Sequence, residues 1–284
     1  MERFKSGNGY YEILTDKEFS EVYHNVSFSG GRTSAYLLHK LIEIIPREKL
    51  IVNFANTGRE DESTLKFVKD NEDFLGIKIN WVEYDVTEDN NHSVKQVDFE
   101  TASRNGEPLE KAIIKCGYLP NMFQRRCTIM TKIDTMRRHM ESNDLKFENY
   151  VTYIGIRHDE PKRWSKELHQ YGINAQIKCY PLVDWKVSKK DVLEYWSKMP
   201  FDLELKEPFG NCDLCFLKST KRRIAVIQAK PEVAEWWSNM EKKSGHTFDN
   251  SYSVKQLYKI ATGKALLNEN DVQSTDIDCN CNID

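Results

Sequence analysis

Residues Val26 to Ser34 read Val-Ser-Phe-Ser-Gly-Gly-Arg-Thr-Ser, a short apolar strand that passes through two adjacent glycines straight into a helix. The helix is expected because Leu37, Leu38, Leu41, Ile42 and Ile45 recur at helical spacing and give one buried face. A strand joined to a helix by so short a turn points to an α/β fold. Gly30 and Gly31 free the backbone N–H groups to face one concavity, and the helix start adds unpaired donors and the positive end of its dipole. Such a turn is a phosphate nest, to which Arg32 adds a fixed charge, or else a plain Ser-Gly-Gly joint. Neither Gly-x-x-x-x-Gly-Lys-Ser/Thr nor Gly-x-Gly-x-x-Gly is present, which argues against P-loop NTPases and dinucleotide-binding Rossmann domains.

Leu50 to Ala55 and Tyr150 to Ile156 are compact apolar runs, Ile77 to Tyr84 alternates, and Ile177 to Leu182 supplies a fifth candidate strand. Helical faces lie between them, so the expected fold is a parallel sheet of about five strands with helices on both faces, built from right-handed βαβ units. Thr87 to about Glu107 is polar and reads as a long surface loop. Ile129, Met130, Ile133, Met136 and Met140 mark a helix whose methionines fill the core, and Ser188 to Asp191 reads as a capping box. Beyond Pro200 only helical patterns remain. The expected organisation is an α/β nucleotide-binding domain over 20–200, a helical extension over 201–265 and a disordered tail over 266–284.

In 284 residues, 39% hydrophobic and 30% charged, there is no apolar run of membrane-spanning length and no signal-peptide core, so no membrane partner and a cytoplasmic location are expected. A net charge of −3 gives no overall basic surface for nucleic acid. Lys218, Lys221, Arg222 and Arg223 form a basic cluster, read as a solvated helix face ahead of a nucleic-acid contact. Seven cysteines without a secretion signal point to metal, redox or catalytic use, or to small buried hydrophobes.

Ligands of parallel sheets bind beyond the carboxyl ends of the strands. Three candidate motifs fall there: Ser29 to Ser34, Asn56-Thr57-Gly58, and Gly155-Ile156-Arg157-His158-Asp159-Glu160. Asn56, Thr57 and Gly58 are candidates to surround an adenosine, or form an ordinary strand-end turn. Arg157 suits bidentate phosphate or sulfate contact, with Lys162 and Arg163 continuing the positive charge, and Asp159 with Glu160 suits magnesium, unless the run is merely solvated. His158 reads as a loop residue. Cys212-Asp213-Leu214-Cys215 has the spacing that lets two thiolates grip one metal, and Cys127, opening a helix after two arginines, is a third ligand candidate. Cys116 and Cys179 are candidates for a fourth position, which is otherwise open or filled by a small thiol or sulfide. The bland alternative is unligated thiols.

Ser29-Gly30-Gly31-Arg32-Thr33-Ser34, the strand ending Asn-Thr-Gly, Arg126-Cys127-Thr128 with Lys132-Ile133, Gly-Ile-Arg-x-Asp-Glu, and Asn211-Cys212-x-x-Cys215-Phe216-Leu217-Lys218 resemble, in this order, the phosphoadenosine phosphosulfate (PAPS) reductase family, over residues 24 to 240 or so. The likeness is to the PAPS-reductase-like branch of phages and mobile elements, within the adenine-nucleotide α-hydrolase (PP-loop) superfamily. The usual motif has Asp where this chain has Thr33. The resemblance implies a bound adenine nucleotide (PAPS, adenosine phosphosulfate or ATP) and a four-iron iron–sulfur cluster ahead of zinc. It also implies a thiol reductant or sulfur-donor protein, with a nucleic acid as one sulfur acceptor and a homo-oligomer as one assembly.

Two activities follow from the resemblance: sulfonucleotide reduction, and ATP-dependent sulfur transfer. By resemblance to the reductases, Cys279 or Cys281 in the tail would attack the sulfur, although the tail pattern Glu-Cys-Gly-Leu-His is missing; a metal-ligand pair, a sulfur relay or an incidental pair are the other readings. The rival expectation is a nucleotide-binding accessory protein without turnover.

Overall fold

The computed structural model describes residues 20–121, 125–168, 178–247 and 251–268. Cys279 and Cys281 lie outside them. Six strands form one sheet: β1 (Tyr23–Phe28), β2 (Leu50–Asn56), β3 (Ile79–Val86), β4 (His92–Val97), β5 (Tyr150–Ile154) and β6 (Lys178–Cys179), in the order β4-β3-β2-β1-β5-β6. Every pairing is parallel except that of β3 with β4. The chain runs outward from β1 to β4 on one side and then returns to β5 on the other. This reversal puts a topological switch point between the carboxyl ends of β1 and β5.

The two faces of the sheet differ. Strand residues alternate faces, and Val26, Phe28, Val52, Phe54, Val151 and Tyr153 all belong to one fully buried apolar cluster. Against them pack α1 (Arg32–Leu41), α2 (Glu62–Leu75) and α7 (Lys189–Trp196), which contribute Leu37, Leu38, Leu65, Phe67, Val192 and Trp196. The capping box expected at Ser188 and Asp191 opens α7. Asn25, Ser27, Asn53, Tyr150 and Thr152 take the alternate positions on the opposite face, under α4. Helix α4 runs through Arg126–Thr128, a π-helical stretch Ile129–Asp134 and Thr135–Ser142.

Three elements differ from expectation. The polar segment after Thr87 contains β4, an antiparallel edge strand whose residues are largely half-exposed; its polarity disguised it as a loop. Helix α3 (Glu107–Cys116) follows, opened by Gly106 at φ +88° with Pro108 in its first turn. The fifth candidate strand keeps only Lys178–Cys179, because Pro181 starts the short α6 (Pro181–Asp184). Helix α5 (Pro161–Leu168) precedes it.

The carboxyl-terminal region is helical as expected: α8 (Thr220–Ala229), α9 (Glu232–Ser244) and α10 (Val254–Ala261). Their apolar faces form a second core with Leu109 and Ile113 of α3 and with Leu214, Phe216 and Leu217. The Cys-x-x-Cys segment is thereby anchored between the helical region and the sheet.

Candidate functional site

The glycine loop is closed by its own hydroxyls. Ser34 Oγ donates to the Gly31 carbonyl at 3.0 Å and accepts from the Ser29 N–H at 3.2 Å. With its proton committed, it also accepts from Ser29 Oγ at 2.9 Å. Gly30 sits at φ +77°, and a Cβ there would lie 2.7 Å from Thr64 Cγ2, so this position requires glycine. Gly31 is the N-cap of α1, which has no side-chain cap and no acid in its first turn. Gly155 brings the end of β5 against the loop, where a Cβ would meet Ser34 Cα at 3.0 Å.

Between α4 and the polar face of the sheet lies a cleft that starts at Ser29 and Ser34. Asn25, Ser27 and Thr152 form its floor. Asn53 Nδ2 donates to Asn25 Oδ1 at 2.9 Å and Asn25 Nδ2 donates to Thr152 Oγ1 at 3.0 Å, a polar ladder across the three central strands. Central strands of parallel sheets are ordinarily apolar on both faces, so this ladder marks the face as something other than core. Four cations line the cleft, Lys132 and Arg137 from α4, Arg163 from α5 and Lys178 from β6, and among the described residues no carboxylate does. The cleft is matched to a polyanion.

A second cavity adjoins the first through α4. Cys127, Cys212 and Cys215 line it together with Leu109, Phe216 and Trp237. Thr128 and Lys132 line both cavities and so form the partition between them. Glu60 fixes this partition: its side chain, 1% exposed, pairs with Lys132 Nζ at 3.3 Å. Its other oxygen accepts from the Thr57 N–H and Oγ1, each at 2.8 Å. Cys212 Sγ lies 4.0 Å from Glu60 Oε1. Arg59 pairs with Asp213, whose carboxylate also accepts from Trp237 Nε1 at 2.9 Å.

Several residues named from sequence have other duties. Arg32 forms a fork with Asp202, at 2.6 and 2.9 Å, and donates to the Leu203 carbonyl at 2.6 Å, so its charge serves the joint between α1 and the segment after α7. Arg157, 6% exposed, is a strut: Nη1 donates to Thr33 Oγ1 at 3.0 Å and Nε to Asp159 Oδ1 at 2.9 Å. Thr33 thus meets Arg157 at the position where the family pattern has Asp. Asp159 also accepts from the Lys189 N–H at 2.9 Å, while Glu160 accepts from the Arg157 N–H at 3.0 Å and pairs with Arg163. Burial works against the Asp159 charge, yet the Lys189 N–H and Arg157 hold its pKa below the usual carboxylate range. With all four oxygens of Asp159 and Glu160 engaged by protein donors, the pair is not arranged as a magnesium site.

Asn56 is fully buried and staples the end of β2, donating to Glu83 at 2.7 Å and to the Ser103 carbonyl at 2.8 Å while accepting from the Gly58 N–H at 3.0 Å. Gly58, at φ +77°, packs against Gly106, and Thr57 lines the cysteine cavity. This turn therefore serves the second cavity. Cys116 does not line it: its Sγ contacts Met130 Sδ at 3.0 Å, and burial pushes its thiol pKa up. Cys179, on the edge strand, packs against the first core, with burial pushing its pKa to about 12. Among the described residues no three histidine, cysteine or carboxylate side chains converge closely enough to hold a metal ion. Three thiols lining one largely apolar cavity nonetheless have the donor chemistry of a thiolate-held cluster.

Sequence reasoning missed Lys132, Arg137 and Lys178 as cleft residues. Lys132 and Arg137 accompany Ile133 and Met136 along α4, a signal read only for its apolar positions. The basic cluster read as a solvated face is in part buried, with Lys218 7% and Arg223 0% exposed.

Residues 23–203 match the phosphoadenosine phosphosulfate reductase domain family. The chain belongs to this family. It is 34% identical over 206 residues to an uncharacterized nin region protein of Escherichia phage lambda, covering 69% of this chain and 67% of that protein. It is 23% identical over 241 residues to an uncharacterized protein of Methanocaldococcus jannaschii, covering 82% of this chain and 45% of the other, so it spans under half of that relative. Among solved structures, the U34-tRNA thiolase NcsA from Methanococcus maripaludis with its 4Fe–4S cluster aligns with a TM-score of 0.40 and 18% identity, covering 88% of this chain and 74% of that one. Among the described residues of this family member, no helix is long and apolar enough to cross a membrane.

Proposed function

We propose that this PAPS-reductase family member is a sulfonucleotide reductase, which holds adenosine phosphosulfate or its 3′-phosphorylated form in the cationic cleft. The observation that carries this reading is the shared partition: Thr128 and Lys132 separate a polyanion cleft from a cavity of three cysteines. The glycine loop and the cations take the nucleotide's phosphate and sulfate, and Lys132, held by Glu60, offers positive charge where charge develops on the leaving phosphate.

In the reaction, a cysteine thiolate attacks the sulfate sulfur, the sulfur–oxygen bond to phosphate breaks, and the nucleotide leaves as AMP or adenosine bisphosphate. A second thiol then displaces sulfite from the thiosulfonate and leaves a disulfide, so two thiols supply the two electrons. Cys279 and Cys281 are the attacking candidates from sequence, and a thiol reductant restores the pair. Cys127, Cys212 and Cys215 are the residues that would hold an iron–sulfur cluster, which when bound supplies a redox-active centre beside the nucleotide. The cytoplasm is the proposed location.

The experiment incubates anaerobically purified full-length protein and a dithiol with adenosine phosphosulfate, PAPS or ATP, and assays sulfite and pyrophosphate. Sulfite from a sulfonucleotide is the expected result. Pyrophosphate from ATP would replace the reductase reading with sulfur transfer, and binding without any product would make the protein a nucleotide-binding accessory.

A further inference from the structure

Asn53 is fully buried and uses its side-chain nitrogen twice: Nδ2 donates to Asn25 Oδ1 at 2.9 Å and to Met140 Sδ at 3.3 Å. A thioether sulfur accepts and cannot donate, so Met140, itself buried, fixes which end of the Asn53 amide faces it. The consequence runs along the ladder. With the Asn53 nitrogen turned to β1, Asn25 must present its oxygen to β2 and its nitrogen to β5, where Nδ2 donates to Thr152 Oγ1 at 3.0 Å. That bond uses one of the two N–H groups of Asn25, whose side chain lines the cleft, and leaves the other. Asn53 Oδ1 has no partner among the described residues. An apolar residue would pack there without an orphaned buried carbonyl, so Asn53 serves direction rather than stability.

We infer that the cleft floor reads the base of the bound nucleotide: the remaining Asn25 N–H donates to an unprotonated ring nitrogen of a purine, and Asn53 with Met140 are positioning residues that hold this donor toward the ligand. The inference rests on the nucleotide cleft of the proposed function and adds where the base lies and which of its atoms is read. Asn25 stands four residues before Ser29 along β1, about 13 Å at the rise of a strand. This is the reach of an extended sulfonucleotide from its anionic end to the far edge of its base. The walls suit a flat ring, since Ile133 and Met136 of α4 line the cleft with Ile154.

The test measures binding of AMP and of its 1-, 3- and 7-deaza analogues, each lacking one ring nitrogen, to full-length wild type, N25A and N53L by ligand-detected NMR titration. In the wild type one analogue is expected to bind about fivefold more weakly than AMP and the other two like AMP. This loss should vanish in N25A, which has no donor, and shrink in N53L, where the Asn25 amide is free to turn. Circular dichroism reports folding, and a merely structural Asn53 would weaken AMP and all its analogues equally. Should N53L not fold, M140L, which removes only the sulfur acceptor, takes its place, and the loss should shrink there too. Equal affinities across the wild-type series, as a contact to ribose would give, overturn the inference, as does a loss that persists undiminished in folded N25A, N53L or M140L. No binding of AMP, adenosine phosphosulfate or ATP overturns the nucleotide cleft and this inference together, whereas sulfite production with an even deaza series overturns this inference alone.

Discussion

The same strands build two unlike faces. Odd and even positions of β1, β2 and β5 alternate between Val26, Phe28, Val52, Phe54, Val151 and Tyr153 on one side and Asn25, Ser27, Asn53 and Thr152 on the other. The first set meets three helices and is sealed; the second faces α4 and leaves a cleft lined by four cations. A parallel sheet sandwiched by helices has no structural need of a polar ladder, whose burial costs more than apolar packing would. The difference teaches that one face of this sheet is built for packing, while the other, polar and lined by cations, is the face to which the proposed function assigns the ligand.

The largest expected effect is on the sealed face. Phe54, 1% exposed and packed edge-on against Trp81 at 4.9 Å, should cost about 3–5 kcal/mol on truncation to alanine, measured by urea unfolding. Nucleotide affinity per folded molecule should not change, and a loss of affinity with intact stability would break the distinction. Next, K132M is expected to weaken sulfonucleotide binding about tenfold, or about 1.4 kcal/mol, by calorimetry at low salt, and unchanged affinity would remove Lys132 from the cleft's work. Raising the salt should weaken wild-type binding and weaken K132M less, because one screened charge is gone.

Smaller still, T152V should leave the unfolding free energy within about 1 kcal/mol of wild type while lowering nucleotide affinity. A large destabilisation with normal binding would reassign the ladder to folding. The smallest expected effect is a pH dependence on each side of the sheet. Burial holds the pKa of His39, bonded to Asn71 at 2.8 Å and Tyr195 at 2.7 Å on the sealed side, below its ordinary value. Burial, aided by Arg138, Arg137 and Lys115, lowers that of His92 to about 4 on the α4 side. As pH falls below about 6.5 the unfolded chain takes up these protons first, so stability is full above that pH and declines below it, until each folded-state pKa is reached. Urea midpoints at pH 7.5 and pH 5.5 check the sign; a higher midpoint at pH 5.5 would contradict it.

The α/β class, the glycine loop and the sealed face were legible because local rules govern them. Gly30 at positive φ, the leucine face of α1 and the Ser188 capping box are each set within a few residues. The cysteine grouping was legible in part, since the spacing of Cys212 and Cys215 is local whereas the reach of Cys127 is not. Arg157, Asp159 and Glu160 misled because a charge run shows its charges but not its partners: the pairing of Arg157 with Thr33 and of Asp159 with the Lys189 N–H depends on distant chain, while Glu160 turns to Arg163 three residues on. β4 was hidden for the opposite reason, as an edge strand needs few apolar residues. Lys132 and Arg137 were read past because a helix seen only through its apolar stripe loses the cations beside it.

The central claim is that cleft and cysteine cavity work as one site across Thr128 and Lys132. An anaerobic crystal structure with adenosine phosphosulfate tests it most directly. The account predicts the nucleotide along the polar face, an anionic group at Ser29 to Ser34, and the sulfur turned toward the partition and the cavity of Cys127, Cys212 and Cys215. A nucleotide seated outside the cleft, or with its sulfur directed away from that wall, would contradict it.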